Sequence, residues 1–311
     1  FSQAERTGLD AIPIVVVKNG EGPTAFFSSG NHGDEYEGQV ALTNLIKFLE
    51  PGMIRGRVIM LPMANYPAAL AGRRVSPIDD LNMNRIFPGD PDGTVTRQIA
   101  HFIDSEIIPL ADLVIDLHSG GSSLNYIPTA LAKQSNDPAL YQKQLAALRA
   151  FGAPYTYIQG GAQGQGGDQT LGAGADRRGS IALGTELGGA GAVNPAGLAI
   201  AERGLRNLLV HLGILGREHW AEPPIPTRFL DVRGPEMYIY APENGVFEPL
   251  VELGDTVAIG TPAARIHFPE TPWLPPVEIP FKAAGIVMCK RIPARTKRGD
   301  CLFHLANDLA V

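Results

Sequence analysis

Thr24-Ala25-Phe26-Phe27-Ser28-Ser29-Gly30-Asn31-His32-Gly33-Asp34-Glu35 decides how this chain is read. Residues 24–29 are short, apolar and bounded by Pro23 and Gly30, as a β-strand is. Residues 35–50 read as a helix, because Val40, Leu42, Leu45, Ile46 and Leu49 crowd one side. The loop between them carries His32, and the first helical turn carries Glu35. Such a turn can aim both side chains at one point. The spacing alone is weak, since a solvated pair at a helix start is the commoner outcome.

The same alternation extends outward. Residues 12–17, 57–62, 113–118 and 181–185 read as strands. Residues 95–108, closed by Pro109, then 138–150 and 195–215 read as helices, the last opened by Asn194-Pro195 at cap and first-turn positions. This predicts an α/β fold with a mixed, mainly parallel sheet flanked by helices. Residues 216–226 are polar and Pro-rich, so the chain divides into an α/β domain of residues 1–220 and a β domain of residues 221–311. Beyond the divide, residues 237–241, 245–250, 263–268, 277–281, 285–289 and 301–306 read as strands, and no helix is expected. Gly254-Asp255 and Gly299-Asp300 place similar turns before strands in two alike halves, which predicts a small lipoyl-like barrel or sandwich. Residues 269–276, between the halves, hold no lysine for a carrier role. The Gly-rich residues 160–174 read as a surface loop or as a lid over the site.

Bulk properties narrow the function. The 311 residues are 44% hydrophobic and 19% charged, as in a soluble globular protein. A net charge of −6 without a Lys/Arg block argues against nucleic acid or an anionic membrane as partner. No apolar run approaches membrane-span length. The N-terminal residues show no apolar signal core. Cys289 and Cys301 form no thiolate metal motif, and a reducing cytoplasm is the expected compartment. A small-molecule partner remains, and a homo-oligomer is compatible with these features.

Asp116-Leu117-His118 strengthens the chemical reading. Val114, Asp116 and His118 share one strand face, and a buried strand should not end in a carboxylate and an imidazole unless something satisfies them. His32, Glu35 and His118 are a ligand set for a catalytic zinc with a position open to water. Asp116 is expected to hold the free ring nitrogen of a ligand histidine, assigned to His32. Glu186, at the end of the strand 181–185, is placed to act as general base and acid. Asn84 and Arg85 suit a substrate carboxylate. Arg74 is preferred to Arg73 as the cation near a developing oxyanion. Upstream of Glu186, Arg177 or Arg178 is placed for a substrate contact, with Arg178 chosen, and Asp176 is placed to meet a substrate ammonium. His101, His211, His219, His267 and His304 have no partner at ligand spacing.

Taken together, Gly30-Asn31-His32-Gly33-Asp34-Glu35, Asn84-Arg85, Asp116-Leu117-His118 and Glu186 resemble the succinylglutamate desuccinylase/aspartoacylase family of zinc carboxypeptidase-like hydrolases. The similarity spans roughly residues 24–215, with the β domain as the family's usual C-terminal addition. It implies one Zn2+ per chain held by His32, Glu35 and His118, with Glu186 as base and acid. It also implies Asn84 and Arg85 on the amino-acid carboxylate, and hydrolysis of an N-acyl amino acid. Arg73-Arg74-Val75-Ser76-Pro77-Ile78-Asp79, Asn84-Arg85-Ile86-Phe87-Pro88-Gly89 and the tail His267-Phe268-Pro269-Glu270-Thr271-Pro272-Trp273 look most like the branch that deacetylates N-acetyl-diaminobutyrate in ectoine breakdown. Three other readings stay open: a carboxypeptidase, a desuccinylase or aspartoacylase with extra cationic groups, and a non-catalytic binding or carrier module.

Overall fold

Alternate residues of one buried strand face two helical layers, and this sets the architecture. The computed structural model describes residues 12–159, 167–219, 225–232 and 234–310. Its first part contains strands β1 (Val15–Asn19), β2 (Thr24–Ser29), β3 (Gly56–Leu61), β4 (Leu113–Leu117), β5 (Leu124–Tyr126), β6 (Thr129–Lys133), β7 (Tyr155–Gln159) and β8 (Ile181–Glu186). Its helices are α1 (Glu37–Phe48), α2 (Tyr66–Ala71), α3 (Val95–Phe102), α4 (Pro138–Phe151), α5 (Leu171–Arg177) and α6 (Pro195–His211). On β2, Ala25 and Phe27 pack in a core with α1, α4 and α6, while Phe26 packs in a second core with α3 and α5. Fully burying each of these phenylalanines contributes about 1.5–3 kcal/mol.

The sheet order β1-β3-β2-β4-β8-β6-β7 is mixed. β3, β2, β4 and β8 run parallel, while β1 pairs antiparallel with β3 and β6 antiparallel with β8. α6 begins where expected: Pro195 opens it, and the Asn194 side chain accepts hydrogen bonds from the backbone N–H groups of Ala196 and Gly197. No helix among the described residues is long and apolar enough to cross a membrane.

The remaining strands are β9 (Arg228–Val232), β10 (Tyr238–Tyr240), β11 (Gly245–Pro249), β12 (Thr256–Val257), β13 (Pro262–His267), β14 (Val277–Pro280), β15 (Gly285–Arg291), β16 (Arg295–Thr296) and β17 (Cys301–Asp308). Beyond residue 228 the described chain holds strands and one 3₁₀ turn, in line with the all-β expectation. β14-β13-β11-β16 form a separate sheet. The other strands do not close on themselves. β9 pairs parallel with β7, β17 pairs with β9, and β15 pairs with β5, so this part continues the first sheet. The expected boundary at residues 220/221 lies outside the described residues, and β9, beyond it, belongs to the α/β sheet by pairing.

Several elements differ from the sequence expectation. β5, β6, β7, β9 and helices α2 and α5 carry too little local signal to be read. β6 is Ala-rich, and β5 is three residues long. Helix α5 begins inside the Gly-rich stretch, where the Thr170 side chain accepts a hydrogen bond from Ala173 N–H. Residues 160–166, the rest of the expected loop or lid, lie outside the described residues.

Candidate active site

The carboxyl ends of β2, β4 and β8 stop at one edge because the strands are parallel and in register, with Ser28 beside Asp116 and Asp116 beside Gly184. In open α/β sheets that edge forms the ligand crevice. His32 lies three residues beyond β2, His118 directly follows β4, and Glu186 ends β8. Gly33 makes this packing sterically allowed: a Cβ there would lie 2.0 Å from the Ala68 carbonyl oxygen. Gly33 N–H instead donates to Arg73 O at 2.9 Å, drawing the Arg73-Arg74 loop onto the site.

His32 and His118 present Nδ1 atoms to the two oxygens of Glu35, at 2.7 and 2.8 Å. All three ligand atoms lie within 4.8 Å of one another. The opposite ring nitrogens are engaged elsewhere. His118 Nε2–H donates to Asp116 Oδ2 at 2.7 Å, and His32 Nε2–H to Asn82 Oδ1 at 3.1 Å. With Nε2 engaged in this way, the Nδ1 atoms of both rings are turned together onto Glu35. Two imidazole nitrogens and a carboxylate converging on one point, each imidazole oriented from its far nitrogen, are a donor set that fits a divalent metal. Burial alone would raise the Glu35 carboxyl, yet His32 and His118 hold it far below the usual carboxylate range. Burial would lower the His118 imidazole, but Asp116 and Glu35 raise it well above its ordinary value.

The expected partner of Asp116 requires correction. It holds His118, not His32, and its Oδ2 also accepts from Asn31 Nδ2 at 3.0 Å. Residues two apart on a strand share a face, so Asp116 reaches the histidine of its own strand.

A cavity of about 500 Å³ opens over this centre and is also lined by Arg74, Asn84, Arg85 and Glu186. Burial, followed by the negative charge of Glu35, pushes the Glu186 carboxyl up to about 8. Its Oε2 is buried without a hydrogen-bond partner. Arg74 Nη1 donates to Glu35 Oε1 at 3.2 Å. Asn84 accepts through its oxygen from Leu171 N–H at 2.9 Å, and its Nδ2 lies 3.0 Å from His118 Nε2, which gives its proton to Asp116. Arg85 beside it is half-buried and donates through Nη1 to Asn84 O, and the donors of both side chains line the cavity. Burial, aided by the charge of Arg74, lowers the Arg85 pKa.

Arg178 is a second correction. Its Nη2 donates to Asp104 Oδ2 at 2.5 Å, and it does not line the cavity, whereas Arg177 and Asp176 do. Without a readable α5, the sequence could not show which of these neighbours faces inward.

Other residues in the site had no sequence-based assignment. Asn82 lies within the quoted motif and orients His32. Asp34 accepts from Ser122 N–H and Oγ–H at 2.8 Å and ties the loop after His118 to the loop after β2. His304, which has no partner at ligand spacing in the sequence, lines the cavity and is 1% exposed. It sits in one cross-strand row, Tyr126–Cys289–His304–Tyr238, spanning β5, β15, β17 and β10. Its ring stacks on Tyr238 at 4.5 Å, and burial pushes its pKa down to about 4.

Comparison with known proteins agrees with this geometry. The succinylglutamate desuccinylase/aspartoacylase catalytic domain matches residues 21–212. The chain is 42% identical, over 96% of its length and 86% of the relative's, to N-alpha-acetyl-L-2,4-diaminobutyric acid deacetylase of Halomonas elongata. Among solved structures, the product-bound ectoine utilization protein EutE (DoeB) of Ruegeria pomeroyi superposes with a TM-score of 0.92 at 38% identity, covering 98% of this chain and 92% of that one. A succinylglutamate desuccinylase/aspartoacylase from Rhodobacter sphaeroides gives 0.88 at 42% identity, covering 96% and 90%.

Proposed function

The chain belongs to the succinylglutamate desuccinylase/aspartoacylase family, and from that premise we propose that it is a zinc-dependent amide hydrolase removing the acetyl group from N-α-acetyl-L-2,4-diaminobutyrate, a step of ectoine degradation. The observation that carries the reading is the pair of Nδ1 atoms turned onto Glu35, with Glu186 in the same cavity. His32, Glu35 and His118 would hold one zinc ion. When bound, the ion supplies Lewis-acid chemistry, acidifying water and polarising the acyl carbonyl.

The chain's own residues do the rest. Asp116 and Asn82 fix the two imidazoles with Nδ1 inward. Glu186 takes a proton from the attacking water and returns it to the departing amine. Burial raises this carboxyl and a bound dication would favour its anion, opposing influences that suit a group that both takes and returns a proton. Arg74 supplies positive charge beside the developing oxyanion, and Arg85 receives the amino-acid carboxylate. The products are acetate and the free amino acid. In this reading the α/β unit of residues 1–220 carries the chemistry, and the β unit of residues 221–311 contributes Tyr238 and His304 to the cavity wall. The two unpaired cysteines suit the cytoplasm.

The test is a substrate panel with zinc-loaded protein: N-α-acetyl-diaminobutyrate, N-acetyl-aspartate and N-succinyl-glutamate. The reading predicts the highest kcat/KM for the first. Preference for either of the others, or no hydrolysis, overturns it.

A further inference from the structure

We infer that Asp176 receives a cationic side chain of the substrate and thereby selects an N-acyl diamino acid over neutral and acidic N-acyl amino acids. The inference deepens the proposed function and rests on it.

The charges around the cavity single this residue out. The acids lining it are Glu35, Asp116, Asp168, Asp176 and Glu186. Glu35 faces His32, His118 and Arg74, and Asp116 faces His118 and Asn31. Asp168 pairs with Lys133 at 2.9 Å. Glu186 is the proton carrier. Asp176 is left, with no hydrogen bond or ion pair to its carboxylate among the described residues, and its Oδ1 is buried without a partner.

Its neighbours do not supply the missing partner. Asp176 sits in the last turn of α5 and lines the cavity. The neighbouring cations are turned elsewhere. Arg177 donates to Asp168 O and approaches Asp104 at 3.9 Å, and Arg178 bonds Asp104. A carboxylate oxygen buried without a partner is satisfied when a cationic donor arrives. The deacetylase's substrate brings one: its amide nitrogen carries the acetyl group, and its second nitrogen is a free ammonium.

Placement agrees. Leu171 N–H, at the start of α5, bonds Asn84, which touches His118. Asp176 lies five residues further along, about 7–8 Å of helix rise from that anchor. Asp176 shares one cavity with the metal ligands and Arg85, so the ammonium is received at Asp176 while the carboxylate goes to Arg85. The two ends of a zwitterionic substrate meet opposite charges within one cavity.

The experiment compares wild type with Asp176→Asn on N-α-acetyl-diaminobutyrate and on N-acetyl-2-aminobutyrate, its neutral counterpart. Zinc content and melting temperature are measured alongside. Asp176→Asn is expected to lower kcat/KM for the charged substrate about 100-fold, mainly through KM, and to change that for the neutral substrate less than about twofold. Asp176→Ser serves if the Asn variant melts early. A wild type that turns over acetyl-diaminobutyrate well, with a variant that does the same, overturns the Asp176 assignment alone. Equal losses on both substrates also overturn it, since they mark a structural role. A wild type that does not hydrolyse acetyl-diaminobutyrate overturns the functional reading instead.

Discussion

Replacing Glu186 with Gln removes a proton carrier and a buried acid in one step. The carboxyl moves from 4.5 to about 8 on folding, chiefly because burial disfavours its charged form. Below pH 4.5 it is protonated in both folded and unfolded chains and has no effect on stability. As pH rises towards 8 the unfolded chain releases the proton and the folded one does not, so stability falls. The full loss is on the order of 5 kcal/mol at pH 8 and above in metal-free protein. A bound dication offsets part of it by favouring the anion. Glu186→Gln should therefore lose about 10²–10⁴-fold in kcat while keeping its zinc. In metal-free form it should melt above wild type by a margin that widens from pH 5.5 to 8, up to about 10 °C. Stopped-flow or coupled acetate assays, elemental analysis and melting curves at four pH values read all three quantities. Near-wild-type turnover refutes the base assignment. A melting difference that does not grow with pH refutes the buried-acid reasoning.

Asp116→Asn keeps the shape but weakens the acceptor on His118 Nε2, so zinc affinity should fall about 10–100-fold by competition with a chelating dye; unchanged affinity would remove Asp116 from the account. His304 is held neutral by burial, with its pKa down to about 4, so the unfolded chain binds a proton first as pH falls below 6.5. Wild type should lose on the order of 3 kcal/mol of stability between pH 6.5 and 4 through this residue, and His304→Phe should abolish that component in denaturant titrations. Identical acid sensitivity in both proteins would contradict it.

The strand ends were legible because their signals are local. Phe26 and Phe27 before Gly30, and the apolar run from Leu113 into Asp116 and His118, mark strands whose carboxyl ends carry polar side chains. The parallel pairing of β2, β4 and β8 then brings His32, Glu35, His118 and Glu186 to one edge. Pairing choices within that edge were not legible. Asp116 meets His118 rather than His32 because residues two apart on a strand share a face. Which of Arg177 and Arg178 faces inward depends on the phase of α5, which begins in a Gly-rich stretch with no periodic pattern. His304 is invisible to local spacing, since its place depends on the register of four strands separated in sequence by Tyr126, Cys289 and Tyr238. The continuation of the first sheet through β9 and β17 is missed for the same reason: strand order is set by long-range pairing, which composition does not encode.

The central claim is that His32, Glu35 and His118 close around one cation, and zinc-edge X-ray absorption on stoichiometrically analysed protein tests it most directly. The account predicts one zinc per chain with two imidazole nitrogens and at least one carboxylate oxygen at about 2.0–2.2 Å, and loss of the imidazole scattering in His118→Ala. Protein that binds no zinc, or binds it with no imidazole in its shell, would contradict the account.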